Sequence, residues 1–344
     1  MVNVTLDRGD MLVDQSTVHP SEEPPPDATK AAAVIAGKSP MQIAMRRLRR
    51  DPVALICFVI VVLFVLIAVG APLWCDLFGV STDTVRASTR IDLTTGLPKT
   101  GPPNHGFDPD HPFGIAPGSG NDNLAFWIYG ARTSLFLAFV ATVASTFIGV
   151  ALGLVAGYAG GIVDSVIAFF TDIFLTFPFL LAALAISPII SDRFSTNLDI
   201  YPKVTFWTLV FILVVFGWMG MTRLIRGEVL SLREREFVKA ARVMGVPTHK
   251  ILVREILPNL IAPIVVSISL GLPAFVAAEA GLSYLGIGVQ EQPSWGQTIN
   301  SATKYWETYP LFLWEPVLGI TVLVVALNLL GDAIRDAFDP KTRR

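Results

Sequence analysis

The sequence predicts an all-α polytopic membrane protein with about six transmembrane helices. Of its 344 residues, 52% are hydrophobic and only 16% are charged, against about 25% charged in soluble domains. Mean hydropathy is +0.58. Apolar runs of the roughly 20 residues needed to cross a hydrocarbon core recur along the chain. The net charge of −2 decides little, because in membrane proteins the distribution of Lys and Arg between loops carries the orientation.

Residues 1–40 carry Ser, Asp, Glu and the run Pro24, Pro25, Pro26 without apolar periodicity, which predicts a disordered cytoplasmic tail. Segment 41–74 joins the basic cluster Arg46, Arg47, Arg49 and Arg50 to a first helix running from Pro52 to Trp74. That run is too long for a signal-peptide core, so the helix is retained. Clustered Arg before a first helix keeps its end in the cytoplasm. Residues 75–132 are then an extracytoplasmic loop, rich in Gly and Pro (Pro102, Pro103, Pro109, Pro112, Pro117). Cys57 and Cys75, on either side of this first crossing, do not make a disulfide framework.

Residues 133–334 hold five further helices, over about 133–158, 162–190, 204–221, 260–287 and 311–330. Between the third and fourth of these lies loop 222–258, which concentrates Arg223, Arg226, Arg233, Arg235, Lys239, Arg242, Lys250 and Arg254. It is therefore assigned to the cytoplasm. The tail 335–344, with Arg335, Lys341, Arg343 and Arg344, stays on the same side, so both termini are cytoplasmic in a multi-pass cell-membrane protein.

Gly149, Gly153, Gly157 and Gly161 recur every four residues, making a smooth face for close helix packing. The face meets another helix of this subunit, the commoner use, or a second subunit. Asp164, Asp172 and Glu279 interrupt apolar runs, where an exposed charge costs at least ~2.5 kcal/mol. Each must face protein or water, as a pathway residue or as a structural bond. Pro178 and Pro273 predict kinks in their helices, as hinges or as static features.

Within loop 222–258, Phe237, Ala240, Ala241 and Met244 follow the i, i+3, i+4, i+7 spacing of one helix face, while Arg235, Lys239 and Arg242 fall on another. Gly245 followed by Pro247 is a helix stop. A short amphipathic helix over 236–244 results, able to lie on a membrane surface or to dock on a partner. Lys239-Ala240-Ala241, Gly245 and then Leu257-Pro258 resemble the signature loop of ABC importer permeases, with Lys239 where that signature has Glu. The resemblance implies a coupling helix seated in a groove of an ATPase subunit, and a type I ABC importer permease fold.

The likeness extends from about Met41. Its stretches are Arg47 to Pro52, His111-Pro112-Phe113-Gly114, Ile128 to Ser134, Glu279-Ala280-Gly281-Leu282-Ser283-Tyr284-Leu285-Gly286, Pro293-Ser294-Trp295-Gly296 and Asn328-Leu329-Leu330-Gly331-Asp332. In this order they are similar to the C-type permease subunit of dipeptide, oligopeptide and nickel importers. The resemblance implies a sister permease forming a heterodimer, two ATP-binding subunits and an extracytoplasmic substrate-binding protein that selects the cargo. This chain would bind no cofactor, with ATP and Mg held by the ATPase subunits. Relatives commonly carry Gly-Arg-Asp where this chain has Gly120-Asn121-Asp122, which puts that outer contact in doubt.

No Gly-x-x-x-x-Gly-Lys-Ser/Thr segment is present to cradle ATP phosphates, so the chain is not the motor. The competing reading, an ion-driven secondary transporter, calls for internal repeats and broken helices around a midplane site; no convincing repeat is visible. A membrane enzyme is a third class. Its His residues at 19, 105, 111 and 249 have no metal-ligand spacing. Nucleic-acid binding has no support.

Overall fold

A computed structural model describes residues 40–83, 87–197, 199–289 and 292–339. The described residues are helical apart from turns, loops and two isolated β-bridges, Ile91 with Pro98 and Ile115 with Asp122. The described residues from Ala44 onward form one compact unit; the predicted tail up to residue 39 lies outside the described residues.

Helix α1 (Pro40–Leu48) precedes α2 (Pro52–Val69). Asp51 starts α2 by accepting the amides of Val53 (2.9 Å) and Ala54 (3.3 Å), with Pro52 in the first turn. These satisfy donors that no intrahelical carbonyl can reach. The first crossing ends at Gly70 rather than at Trp74, and a separate helix α3 (Ala71–Phe78) follows. After the loop and the short α4 (Ala87–Arg90), Asp122 caps α5 (Asn123–Ala159) by accepting the Ala125 amide at 2.9 Å. The sequence placed this helix start ten residues later. With 37 residues, α5 is about 55 Å long, well beyond a ~30 Å hydrocarbon core.

The third predicted helix is broken into α6 (Gly161–Thr176) and α7 (Phe179–Phe194), bent by 84°. Pro178 lies at the break, where its missing amide and fixed φ prevent the helix from continuing. Helices α8 (Tyr201–Val215) and α9 (Met219–Leu232) follow. Thr222–Leu232 are thus helix, and the loop assigned to 222–258 starts near Arg233. Helix α10 (Glu236–Val243) and α11 (Thr248–Lys250) lead into a π-helical stretch at Ile251–Ile256 and a 3-10 turn at Leu257–Leu260. Then come α12 (Ile261–Leu282), a π-helical turn Ser283–Ile287, α13 (Trp295–Ala302) and α14 (Pro310–Phe338). Pro273 lies inside α12 without dividing it; the break falls at Gly286, whose φ is +83°. Five described helical spans are long and apolar enough to cross a membrane, or six if the bent pair counts as one.

The most extensive helix contact is α5 with α9. One end of α5 carries the loop before Asn123. At the other, Gly157 packs on Val229 of α9, two turns before α10. Loop and α10 therefore sit at opposite ends of the bundle.

Candidate functional site

Helix α10 is tethered on one side and bare on the other. Val238 is fully buried and Ala241 is 4% exposed. Both pack in a cluster with Ile225 and Val229 of α9, Leu154 of α5, and Ile251, Ile256 and Leu260. Phe237, Val243 and Met244 are 41%, 87% and 75% exposed, and Ala240 is exposed with them. This corrects the face assignment made from spacing. Ala241 does not share the outer face with Phe237 and Met244; it belongs to the inner one with Val238. The bare apolar surface is Phe237, Ala240, Val243 and Met244.

The helix ends as its residues require. Gly245 has φ +76°, and the Val246 amide reaches back to the Ala241 carbonyl at 3.1 Å, closing a left-handed helix cap. Lys239 lies beside the bare face with its ammonium 3.2 Å from Glu234, which holds that exposed carboxyl below its usual range. Arg242 stacks over Tyr158 at the end of α5. Leu257 packs against the inner cluster, while Pro258 is exposed in the 3-10 turn leading to α12. The signature residues therefore divide between a bare outer face (Phe237, Ala240, Met244), an inner packed face (Ala241, Leu257) and the turns that end α10 and lead into α12 (Gly245, Pro258).

Three of the four stripe glycines meet α9. A Cβ on Gly149, Gly153 or Gly157 would come within 2.5–2.7 Å of Met221, Ile225 or Val229, so the stripe packs within this subunit. Gly161 leaves the register. It starts α6 with φ +55° and nothing near it.

The intramembrane charges also find partners within the chain. Arg226 of α9 makes a two-point contact with Asp164, one arm at 2.8 Å. Arg223 meets Asp172 at 2.5 Å. The broken span α6 is thereby tied to the helix that leads into α10. Spacing could not have found these pairs, since each joins residues more than fifty positions apart.

Glu279 is fully buried in α12. Ser283 donates to its Oε1 at 2.7 Å, and Ser134 of α5 and Ser294 border the same carboxyl. Oε2 has no partner among the described residues. Ser294 also caps α13, accepting the Gln297 amide at 3.2 Å. Glu279 thus sits where α5, α12 and α13 converge, which favours the structural reading. Glu279→Gln keeps an acceptor for Ser283 and should assemble near the wild-type level. Glu279→Ala strands the buried Ser283 hydroxyl at about 1–3 kcal/mol and should lower the melting temperature of the detergent-purified chain. Equal damage from Gln and Ala would overturn this assignment.

At the loop end, motifs distant in sequence come together. His111 Nδ1 lies 2.5 Å from the buried Asp122. Trp127 donates to the Glu315 carbonyl, Trp295 to the Trp127 carbonyl, and Tyr309 to the Phe113 carbonyl. Phe64, Phe113, Trp127 and Trp295 form one aromatic cluster. The free thiol of Cys75 is buried nearby, and burial together with Asp122 pushes it up to about 11. Asn121 lines a cavity of about 310 Å³ whose wall also includes Gln297, Asn300 and Lys304.

A family model described as binding-protein-dependent transport system inner membrane component matches residues 149–344. A second, described as the N-terminal TM domain of oligopeptide transport permease C, matches residues 39–78. Over 330 residues the chain is 32% identical to the dipeptide transport system permease protein DppC of Alkalihalophilus pseudofirmus, covering 95% of this chain and 96% of the relative. It is 32% identical over 304 residues to the oligopeptide transport system permease protein OppC of Bacillus subtilis, covering 88% and 90%. With DppC of Bacillus subtilis the identity is 33% over 311 residues, covering 88% and 86%.

Proposed function

This chain belongs to the family of binding-protein-dependent transport system inner membrane components, and from that premise we propose that it forms half of the translocation pathway of an ATP-driven peptide importer. A sister permease supplies the other half. Of two ATPase subunits, which bind ATP and Mg, one docks on the bare face of α10 and the other on the sister permease, and an extracytoplasmic binding protein delivers the substrate at the opposite end. The observation that carries the reading is α10 itself. It presents Phe237, Ala240, Val243 and Met244 outward while Val238 and Ala241 root it in α5 and α9. A push on that face is passed to the packed helices because the inner cluster leaves no slack.

The relatives' names support dipeptides or oligopeptides as cargo. Nickel or another small solute on the same fold is the alternative. An ion-driven transporter would account for the broken span α6–α7 but would have no use for a bare docking helix. In the proposed orientation α10 and both termini are cytoplasmic. In a background lacking Cys57 and Cys75, an impermeant thiol reagent should label His105→Cys in intact cells and spare His249→Cys.

The function is tested by purifying the tagged chain and reconstituting whatever copurifies. Two ATPase subunits and a sister permease should come with it, and with the binding protein they should take up dipeptide only when ATP is supplied. Uptake driven by an ion gradient without ATP would replace the proposal with the secondary-transporter reading.

A further inference from the structure

A groove of about 1060 Å³ opens between the outer surfaces of α2, α5 and α8, at the loop end of the bundle. Its walls are mostly apolar: Val65 and Val69 from α2, Phe136 and Phe139 from α5, and Trp207 from α8. Two cations line the same groove, Arg132 of α5 and Lys203 of α8. Both are exposed, and neither is in an ion pair among the described residues. Arg132 lies nine residues into α5, about 13 Å along the axis from its first residue. Arg132 immediately precedes the apolar run of α5, so its guanidinium stands where the helix enters the membrane, a place for a headgroup counter-charge or water.

The surroundings say where the counter-charge comes from. Helix α2 has no charged, amide or hydroxyl side chain in its 18 residues, and its mean hydropathy of 3.3 is the highest of the spans. Its surface beside the groove is therefore suited to hydrocarbon. An occupant with an anionic head and an apolar tail satisfies both halves at once. We propose that this groove holds an anionic phospholipid of the adjacent leaflet, its phosphate between Arg132 and Lys203 and an acyl chain along Phe136, Phe139 and Trp207. Trp207 fits this placement, because Trp side chains concentrate near the headgroup level. A bound lipid there fills the space between α2 and α8, which otherwise touch α5 on separate flanks.

The test uses the full chain with its copurifying subunits, reconstituted in vesicles of equal parts phosphatidylglycerol and phosphatidylcholine. Trace spin-labelled forms of each lipid report the motionally restricted fraction. Wild type should retain phosphatidylglycerol preferentially. Each cation is expected to contribute about fivefold near an anionic headgroup, so Arg132→Gln and Lys203→Gln should each lower the preference, and the double variant should abolish it. Lys304→Gln, an exposed cation outside the groove, should leave it unchanged. Lys203 stands at the start of its helix, so Lys203→Gln keeps the test decisive if Arg132 variants do not assemble. Equal retention of both lipids by wild type, or an unchanged preference in Lys203→Gln and the double variant, overturns the proposal. A raised KM for dipeptide with unchanged lipid retention overturns it in favour of a substrate contact. Lipid retention is read without ATP or substrate, so it stands or falls separately from the transport function.

Discussion

Ala240→Trp should give a chain that inserts and folds at the wild-type level but no longer transports. Ala240 is on the bare face of α10, where an indole meets no atom of this chain's inner cluster and stands between the helix and an ATPase groove. Loss of close docking should cost at least tenfold in affinity for the ATPase subunits, about 1.4 kcal/mol. The subunits should be lost on purification or hydrolyse ATP without moving substrate. Gly245→Val should reach the same end differently. A Cβ at Gly245 would touch nothing within 4 Å, so the damage comes only from forcing a β-branched residue to φ +76°, a conformation such residues rarely adopt. Gly245→Asn should therefore retain more coupling than Gly245→Val. Ala241→Trp must behave otherwise, since Ala241 is buried against Ile251 and Ile256; it should lower the yield of folded chain as well. ATPase recovery, substrate-stimulated hydrolysis and uptake measured together separate these outcomes. Wild-type transport by both Ala240→Trp and Gly245→Val would leave α10 as a helix that merely lies on the membrane.

Gly153→Val should prevent the bundle from assembling. The added Cβ would lie 2.7 Å from Cβ of Ile225 and 2.9 Å from the Thr222 carbonyl oxygen. A backbone oxygen cannot rotate away, so α5 and α9 would have to separate along their most extensive contact. Overpacking of this kind costs about 1–3 kcal/mol or more, and here it also weakens the inner cluster that holds α10. Little monodisperse protein should survive size exclusion in detergent. Gly227→Ala on α9, with open space and ordinary helical geometry, is the matched control and should behave as wild type. If Gly153→Val elutes like wild type, the close approach of α5 and α9 is not what holds the bundle.

Much of this was legible in the sequence because its causes are local. Run length and composition predict the membrane class. Gly245 and Pro247 stop α10 by backbone geometry alone, and the same applies to Pro178 at the 84° break between α6 and α7. Pro273 has the same chemistry in α12 yet divides nothing, because packing around a helix decides whether a missing hydrogen bond becomes a bend. The start of α5 was misplaced by ten residues because its cap, Asp122, precedes a polar and aromatic stretch that runs outside the apolar core.

The sequence by itself determined that α10 exists, that it is amphipathic and where it stops; tertiary structure alone decided which side is held and which is bare. In an eight-residue helix and its cap, Phe237, Ala240, Ala241 and Met244 span one broad apolar arc, and spacing cannot tell the edge that meets this chain from the edge that meets another. The same limit governs the membrane helices. Lipid is as apolar as a helix interior, so periodicity leaves open whether a smooth face meets α9, a second subunit or acyl chains. Only the close contacts of Gly149, Gly153 and Gly157 with α9, and the joining of Asp164 to Arg226 across 62 positions, resolve it. Those are properties of the folded arrangement, since each depends on bringing together backbones that the sequence keeps far apart.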